Sequence, residues 1–388
     1  MDSKTFCLAP WVHGLVHTDQ TMRPCCSSST PSTITFDRYP QWWNSSDMTK
    51  LRSDLYHGIK NQNCNNCWQN EENGKESLRL NYNNLFRKYV NFKDIIDSSK
   101  NKFLVKELPT TWDLRLGNLC NIKCVMCTPE FSNKIEQEVN ENIKLINEKF
   151  PLKISAINSN VNWSDTDQAV AFFNEIKPTL RWLKLQGGEP LVVKSVRSLI
   201  ESLDKHQTTL AVTTNGTVLD DKLYKGIANL DQVEFSISVE AVGSANDIIR
   251  YGSDWNVIKK NILKLKKLAN VDIQINHVLQ ITSVFYLVDV IRFCEEHDLH
   301  LMISMLEDPN YLSLSACPQN YLTKLVDDVY NIDIKHKKNQ YIKEFITNTV
   351  NSTKFNEQLW DDFKGYTMLL DELRPNKYSS ILKFESLK

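Results

Sequence analysis

From Thr111 onward, short runs of β-branched and apolar residues alternate six times with longer segments of helical periodicity. We predict strands at "WDLRL" (112–116), "RWLKLQ" (181–186), "TLAVTT" (209–214), "VEFSIS" (233–238), "VDIQINHV" (271–278) and "LHLMIS" (299–304). Between them, apolar residues recur at helical spacing, for example in the stripe of Val257, Ile258, Ile262, Leu265 and Leu268. Strands and helices that alternate in this way form right-handed βαβ units around a parallel sheet. The sequence therefore predicts an α/β fold with a partial (β/α)6 TIM-like barrel, whose chemistry lies at the C-terminal ends of the strands.

The regions on either side of this pattern have a different texture. Residues 1–108 are rich in Ser, Asn, Pro and Trp and hold five of the ten cysteines, whereas the segment after residue 317 is mainly of helical pattern. We therefore predict three parts, namely a small irregular cysteine-rich module over 1–108, the barrel over 109–317 and a helical C-terminal extension over 318–388.

Composition narrows the class of protein. The hydrophobic fraction of 41% and the charged fraction of 24% are ordinary for a soluble globular protein. The net charge of −1 supplies no basic excess for nucleic acid. No apolar run approaches the length of a membrane span, and "MDSKTFCLAPW" lacks a signal-peptide pattern. We expect a cytoplasmic protein without membrane contact, whose cysteines are metal ligands or buried thiols rather than disulfides.

The stretch "NLCNIKCVMCTPE" places Cys120, Cys124 and Cys127 within eight residues, directly after the first predicted strand. Structural zinc usually takes four ligands and disulfides take pairs, so three thiols fit neither class by themselves. A short loop with these spacings can hold three irons of a [4Fe–4S] cluster through thiolates and leave the fourth iron open. A zinc site that is completed from elsewhere in the chain is the alternative.

The spacing of these cysteines resembles that of the radical SAM superfamily. The resemblance implies a [4Fe–4S] cluster on Cys120, Cys124 and Cys127, whose fourth iron binds the amino and carboxylate groups of S-adenosylmethionine. It also implies that an electron from the cluster cleaves the cofactor to a 5′-deoxyadenosyl radical, which abstracts hydrogen from a substrate. The protein would position these groups and exclude competing reactions. An external one-electron donor such as flavodoxin or ferredoxin would be a partner.

Two further segments resemble motifs of this family that contact the cofactor. "QGGEP" (186–190) is similar to the glycine-rich motif whose backbone meets the methionine amino group. Gly187 and Gly188 would permit this approach because they have no Cβ, and Glu189 belongs to the same motif. "TTNG" (213–216) closes the third predicted strand and contributes Asn215 to the predicted cofactor site. A tight turn is the alternative for the glycine pair.

Three other residues complete the predicted cofactor site. Ser238 and Glu240 in "SISVEA" stand where polar residues of the family bind the ribose hydroxyls. Arg250 in "IRYGSDW" resembles the arginine that faces the methionine carboxylate. A solvated cap or an ion pair is the alternative for each of them. Many relatives carry an aromatic residue near the adenine where this chain has Met126, whose polarizable side chain could cover the same face.

A second set of cysteines lies in the N-terminal region. Cys7, Cys64 and Cys67, together with Cys25 or Cys26, can form a closed site of four thiolates, and we favour Cys25 because it follows "RP". The segments resemble the auxiliary-cluster region of SPASM/twitch radical SAM enzymes, which implies a second [4Fe–4S] cluster. That region usually follows the barrel, whereas here it precedes the barrel. A structural Cys₄ zinc site is the alternative.

The sequence thus predicts a radical SAM oxidoreductase or peptide-modifying enzyme. A peptide or protein side chain is the preferred substrate, because "YPQWWNSS" could present an aromatic peptide-binding surface. Aromatic packing in a small core explains the same residues equally well. A sugar-like or nucleotide-like small molecule is the alternative substrate. A zinc- or cluster-stabilised binding protein without catalysis is the alternative of another class, and it predicts damaged motifs where this chain has intact ones.

Overall fold

The computed structural model describes residues 4–29, 32–89, 91–149 and 162–385. The strands in these ranges are β1 His13–Val16, β2 Met22–Arg23, β3 Thr111–Arg115, β4 Lys123–Cys124, β5 Trp182–Gln186, β6 Thr209–Thr214, β7 Gln232–Ser238, β8 Arg250–Tyr251, β9 Val271–Leu279 and β10 His300–Met305. The six predicted strands are confirmed as β3, β5, β6, β7, β9 and β10, with ends that differ by at most one residue.

From β5 to β10 the α-helices alternate with the strands, and further helices precede β3 and follow β10. They are α1 Ala9–Val12, α2 Tyr39–Trp43, α3 Ser46–Tyr56, α4 Asn65–Glu72, α5 Leu78–Phe86, α6 Phe92–Lys100, α7 Asn133–Glu141, α8 Ile143–Lys149, α9 Asp167–Ile176, α10 Lys194–Ser202, α11 Asp221–Ala228, α12 Ser244–Ile249, α13 Trp255–Leu265, α14 Leu287–Glu296, α15 Gln319–Tyr330, α16 Ile342–Ser352 and α17 Glu357–Leu373. None of the helices in the described ranges has both the length and the apolar character needed to cross a bilayer.

The eight-stranded sheet has the strand order β10-β9-β7-β6-β5-β3-β1-β2. β1 pairs in parallel with β3, β3 with β5, β5 with β6, and β9 with β10, while β2 runs antiparallel to β1. This topology confirms the α/β class with a mainly parallel sheet and is consistent with a partial TIM-like barrel. β4 and β8 form a separate antiparallel pair.

Two compact units make up the chain. The first consists of Met1–Leu119, Asn160–Val212 and Lys225–Val233, and the second of Cys120–Ser159, Thr213–Tyr224 and Glu234–Lys388. The division into a module, a barrel and an extension stays a prediction.

In the first unit, the N-terminal region is more helical than predicted. Ser45, Ser77 and Asn91 each cap a helix by accepting a hydrogen bond from a backbone N–H of its first turn, which satisfies a donor that the helix itself leaves free. The aromatic residues of "YPQWWNSS" are buried within this unit, and Tyr39 packs edge-to-face on Trp112 of β3. They therefore form core rather than a peptide-binding surface, so the packing alternative is correct.

In the second unit, the predicted apolar stripe around α13 is buried at Ile258, Ile262 and Leu265, whereas Val257 is exposed and Leu268 is half-buried. The region after residue 317 is helical, as its pattern predicts, with α15, α16 and α17. They close a separate aromatic cluster, in which Trp360 and Phe363 of α17 pack against Phe384.

Candidate active site

The loop with the three thiols belongs to the second unit and has a fixed backbone. Cys124 lies on β4, which pairs with β8, and the N–H of Val125 donates to the carbonyl of Ile249 at 2.9 Å. The N–H of Cys120 donates to Asn133 Oδ1 at 2.8 Å, and the N–H of Cys127 closes a turn onto Cys124 O at 3.1 Å. These backbone bonds hold the loop in one conformation.

The three thiols lie close together. Cys120 and Cys124 pack with Ile122 in one buried cluster, and Cys127 and Met126 are half-buried against it. Burial raises the pKa of the Cys127 thiol, and the nearby Cys124 and Cys120 raise it further. The packing of Cys127 against the buried pair accounts for this mutual influence. The structure thus brings together the three residues that the sequence predicts as ligands.

Arg250 lies beside these thiols. Burial acts to lower the pKa of Arg250, but Cys124, Glu240 and the other two thiols reverse the shift and raise it. Burial also raises the pKa of Cys124, and Arg250 acts against that rise. Iron binds the thiolate rather than the thiol, so a guanidinium that stays charged lowers the cost of holding three thiolates in a buried loop.

Glu240 is fully buried and is the ion-pair partner of Arg250. Its Oε1 accepts from Arg250 Nη1 at 3.1 Å, and its Oε2 accepts from the N–H of Val278 at 3.0 Å. Burial raises the pKa of Glu240 to about 7, while Arg250 acts to lower it. Both carboxylate oxygens are engaged within the protein, and Ser238 stands half-buried at the end of β7. Contacts of Ser238 and Glu240 with ribose stay predictions.

Asn215 is tied to the cysteine loop. Its Nδ2 donates to Asn121 Oδ1 at 2.9 Å, and Asn121 lies between Cys120 and Cys124 in sequence. Its Oδ1 accepts from the N–H of Thr217 at 2.9 Å. Asn215 therefore supports the predicted ligand loop from the end of β6, a role for which the sequence gives no signal.

The glycine motif of the first unit packs against the chain that leads into the cysteine loop. A Cβ on Gly188 would lie 2.3 Å from Leu119 O, and a Cβ on Gly187 would lie 2.7 Å from Leu116 N. Gly187 also has a φ of +127°, which favours glycine. The N–H of Glu189 donates to Leu119 O at 2.8 Å, and its buried carboxylate accepts from Leu191 N–H. These contacts show a close approach of backbone to backbone, and contact with methionine stays a prediction.

The N-terminal cysteines gather within the first unit. The N–H of Ser29 donates to Asn63 O at 3.2 Å, which joins the loop after Cys25 to the turn that ends at Cys64. Burial raises the pKa of Cys7 to about 12, with additional effects from Cys64 and Cys67. Burial also raises the pKa of Cys25, where Cys26, Cys7 and Cys64 add to the rise.

Both Cys25 and Cys26 take part in this gathering. Cys26 contributes to the raised pKa of Cys67, whereas Cys25 is the one influenced by Cys7 and Cys64. In the described ranges, which include both cysteine sets, no group of three or more His, Cys, Asp or Glu side chains is placed to hold a single metal ion. The choice between the two neighbours and between cluster and zinc therefore stays open.

A buried arginine faces this second set as well. Arg79 acts to lower the pKa values of Cys7, Cys64 and Cys67, and it is anchored by Glu71 at 2.7 Å and by the carbonyl of Phe6. The arrangement parallels that of Arg250 beside the other three thiols. No local pattern in the sequence singles out Arg79.

The C-terminal helical region contacts the cysteine loop. Tyr366 of α17 donates from its hydroxyl to Val125 O at 2.7 Å. Arg374 donates to both carboxylate oxygens of Glu138, at 3.2 and 2.6 Å, and Lys123 donates to the same carboxylate at 2.6 Å. Lys123 and Val125 lie between the predicted ligands, so this buried network fixes the loop to α7 and α17.

These features point to one class of protein. Residues 114–293, from the end of β3 into α14, match the family described as the Radical SAM superfamily. This part of the chain is similar to the Radical SAM superfamily of enzymes. The family implies a [4Fe–4S] cluster and S-adenosylmethionine as cofactors. The buried thiols on one fixed loop and the cationic Arg250 fit such a cluster.

Curated relatives match part of the chain. "Molybdenum cofactor biosynthesis protein 1" of Dictyostelium discoideum is 27% identical over 172 residues, which cover 43% of this chain and 23% of the relative. "GTP 3',8-cyclase" of Clostridium botulinum is 28% identical over 163 residues, which cover 41% of this chain and 44% of the relative. The chain thus spans less than half the length of these relatives.

Among solved structures, SuiB of Streptococcus suis bound to S-adenosylmethionine has a TM-score of 0.39 at 15% identity. The match covers 80% of this chain and 59% of SuiB. SuiB bound to its precursor peptide SuiA gives a TM-score of 0.39 at 15% identity, with 87% and 72% of the chains covered.

Proposed function

We propose that the protein cleaves S-adenosylmethionine reductively at a [4Fe–4S] cluster held by Cys120, Cys124 and Cys127, and uses the radical to abstract hydrogen from a substrate. The observation that carries this proposal is the convergence of three thiols, on a backbone-fixed loop, beside the buried cation Arg250. When bound, the cluster and cofactor supply the electron and the 5′-deoxyadenosyl radical.

The chain's own residues hold and orient these groups. Asn133 and the β4–β8 pairing fix the loop backbone, while Arg250 balances the charge of the thiolates. We propose further that Arg250 faces the methionine carboxylate, because its Nε is buried without a hydrogen-bond partner in the described part of the chain. An anionic ligand would satisfy that donor.

For the N-terminal thiols we propose a second, auxiliary cluster on Cys7, Cys25, Cys64 and Cys67. This proposal is supported by the effect of these cysteines on one another's pKa values and by the buried cation of Arg79 beside them. A cluster there would accept the second electron when a substrate radical is oxidised. A Cys₄ zinc site is the competing assignment.

The proposal has two candidate substrates, a peptide or protein side chain and a nucleotide-like small molecule. The second candidate is favoured by the sequence matches to two proteins named for molybdenum cofactor biosynthesis and GTP cyclisation. Burial of Tyr39, Trp42 and Trp43 removes the aromatic surface that argued for a peptide.

Anaerobic reconstitution followed by iron analysis tests both clusters. We expect about eight irons per chain for two cubanes, and about four irons with one zinc if the N-terminal site is structural. With S-adenosylmethionine and a reductant, the wild-type protein should release 5′-deoxyadenosine.

Three matched substitutions separate the sites. Cys124→Ala should abolish 5′-deoxyadenosine release, and Cys64→Ala should lower the metal content while it spares part of the release. Cys294→Ala is the control, because Cys294 is a fully buried thiol on α14 outside both cysteine sets. Unchanged release by Cys124→Ala would refute the proposed reaction.

A further inference from the structure

One face of the sheet in the first unit carries an ordered row of charged side chains. Asp113 of β3 lies opposite Leu15 of β1 on one side and Lys184 of β5 on the other, and Leu15 lies opposite Arg23 of β2. Residues that stand opposite each other in a sheet point to the same face. Arg23, Asp113 and Lys184 therefore share a face.

The next row along the strands extends this pattern toward their C-terminal ends. Arg115 lies opposite Gln186, and both are two residues beyond the first row, so their side chains point to the same face. The alternate residues of β3 point the other way, as shown by Trp112, which directly precedes Asp113 and is buried against Tyr39 and Phe172. The charged face is thus opposite to the face that packs on the aromatic core.

Beneath these two rows, aromatic rings close the same face. His13 of β1 stacks on Phe86 of α5 with ring centroids 4.9 Å apart, and Trp182 of β5 packs edge-on against Phe86 at 5.8 Å. Tyr82 contacts His13 from the side at 5.3 Å. These rings pack together on this face, and the polar side chains lie further toward the C-terminal ends of β3 and β5.

The two rows have an excess of positive charge. Asp113 is buried, and both of its carboxylate oxygens accept from Gln186 Nε2, at 2.7 and 2.8 Å. Arg115 donates from Nη1 to His17 Nε2 at 3.1 Å, while its Nε is buried without a partner in the described ranges. Lys184 is half-buried, and its charge acts on the carboxylate of Asp113: burial raises the pKa of Asp113, while Lys184 and Arg115 act to lower it.

Arg23 at the margin of the row also has a buried Nε without a partner among the described residues. Its charge additionally reaches Asp19, whose pKa it helps to lower. Three cations and one carboxylate thus occupy a half-buried surface. Donors that are withdrawn from water and left unpaired cost free energy, which an anionic ligand would recover.

We propose that this face binds an anionic group of the substrate, a carboxylate or a phosphate, through Lys184 and Arg115. Arg115 and Gln186 lie at the ends of β3 and β5, directly before Gly187, and Lys184 lies two residues earlier on the same face. Parallel α/β folds bind their ligands at such strand ends. In naming a substrate group the inference rests on the proposed function, whereas anion binding itself does not.

Binding is measured by isothermal titration calorimetry on the full-length, anaerobically loaded protein. The probes are inorganic pyrophosphate, the dipeptide acetyl-Glu-Glu-amide and the neutral acetyl-Gln-Gln-amide. We expect one of the two anions to bind and the neutral dipeptide not to bind. Tighter binding of pyrophosphate identifies a phosphate-bearing substrate, and tighter binding of the acidic dipeptide identifies a carboxylate.

The variants are expected to change the affinity for the anion in different directions. Lys184→Met should weaken anion binding by about tenfold or more, because a charge-assisted hydrogen bond is lost. Lys184→Arg, which keeps the charge, should bind within a few-fold of wild type, and Asp113→Asn should bind more tightly because a repelling carboxylate is removed. Lys205→Met is the control, since Lys205 is an exposed lysine of the same unit, and it should bind as wild type does.

Three results would overturn the inference. They are the absence of anion binding by the wild-type protein, equal binding by Lys184→Met and Lys205→Met, and a loss of binding in Asp113→Asn that matches Lys184→Met. Failure of the proposed function has a different signature. A protein that binds the anion but releases no 5′-deoxyadenosine would refute the radical chemistry and leave this site intact.

Discussion

Replacement of Gly188 by alanine tests whether the glycine motif positions the cysteine loop. An added Cβ would lie 2.3 Å from Leu119 O, 2.7 Å from Leu119 C and 2.8 Å from Asn118 C. Ordinary contact begins at 3.4 Å, so one of the two backbones must move by about 1 Å. The atoms that would be met are backbone rather than flexible side chain, and Leu119 immediately precedes Cys120.

Two consequences of this displacement can be measured. Forced overpacking costs about 1–3 kcal/mol, so urea unfolding should show a loss of that size. A shift of about 1 Å in a positioned group can slow a reaction by about a hundredfold, so 5′-deoxyadenosine release should fall by that order. Iron bound per chain after anaerobic reconstitution should fall as well, because thiolate ligands tolerate only about 0.2 Å of misplacement.

Gly226→Ala is the matched control for this substitution. Gly226 lies on α11 in the same unit, and its Cβ would meet its nearest neighbour at 3.6 Å, which is ordinary contact. Alanine in a helix is favoured over glycine by about 0.5–1 kcal/mol, so the control should be slightly more stable and fully active. Gly188→Ala protein with the iron content and release rate of Gly226→Ala would refute the packing argument.

Three further predictions concern buried charges. Arg374→Met should lower the free energy of unfolding in urea by about 3–5 kcal/mol, because Glu138 stays buried with a weakened set of partners. The double variant that also carries Glu138→Gln should be more stable than Arg374→Met alone, and a double variant without this gain would contradict the prediction. Arg52→Met should cost a similar amount, because the fully buried guanidinium serves the carbonyls of Pro10, Trp43 and Phe103. Arg52→Lys should not restore the loss, and recovery in the same unfolding assay would be the contrary result. Burial lowers the pKa of His13 from its ordinary value of 6.5 to about 3, so the folded state keeps this ring neutral while the unfolded chain takes up a proton as the pH falls below 6.5. Stability should therefore be lost as pH falls from about 6.5, by about 2 kcal/mol at pH 5, and His13→Phe should lose that much less over the same interval; equal pH slopes for the two proteins would refute it.

The strands could be predicted because each is a local run of apolar and β-branched residues that ends near a polar segment. This signal is present in all six predicted strands, β3, β5, β6, β7, β9 and β10. The order of the motifs that follow these strands could also be read from the sequence. β4 and β8 have two residues each, which is too short for any periodicity. Their pairing depends on a long-range backbone contact between Cys124 and Arg250.

The residues around the thiols could be predicted only in part. The three cysteines and Arg250 carry motif spacing, whereas Arg79, Tyr366 and Arg374 do not. Arg374 meets Glu138 across a separation of 236 residues, and Tyr366 meets Val125 across 241. Such pairs follow from tertiary packing, for which a single sequence has no local pattern.

The position of β1 has a consequence for any shortened version of this protein. His13 pairs with Thr111 and Val16 with Leu114, so β3 has a paired strand on each side, β1 on one and β5 on the other. A polypeptide that starts near residue 109 would lack β1, so β3 would become an edge strand with unpaired backbone N–H and C=O groups. Exposed edges of this kind recruit other chains. Such a fragment should accumulate as insoluble aggregates, and a supplied peptide spanning β1 should return part of it to solution.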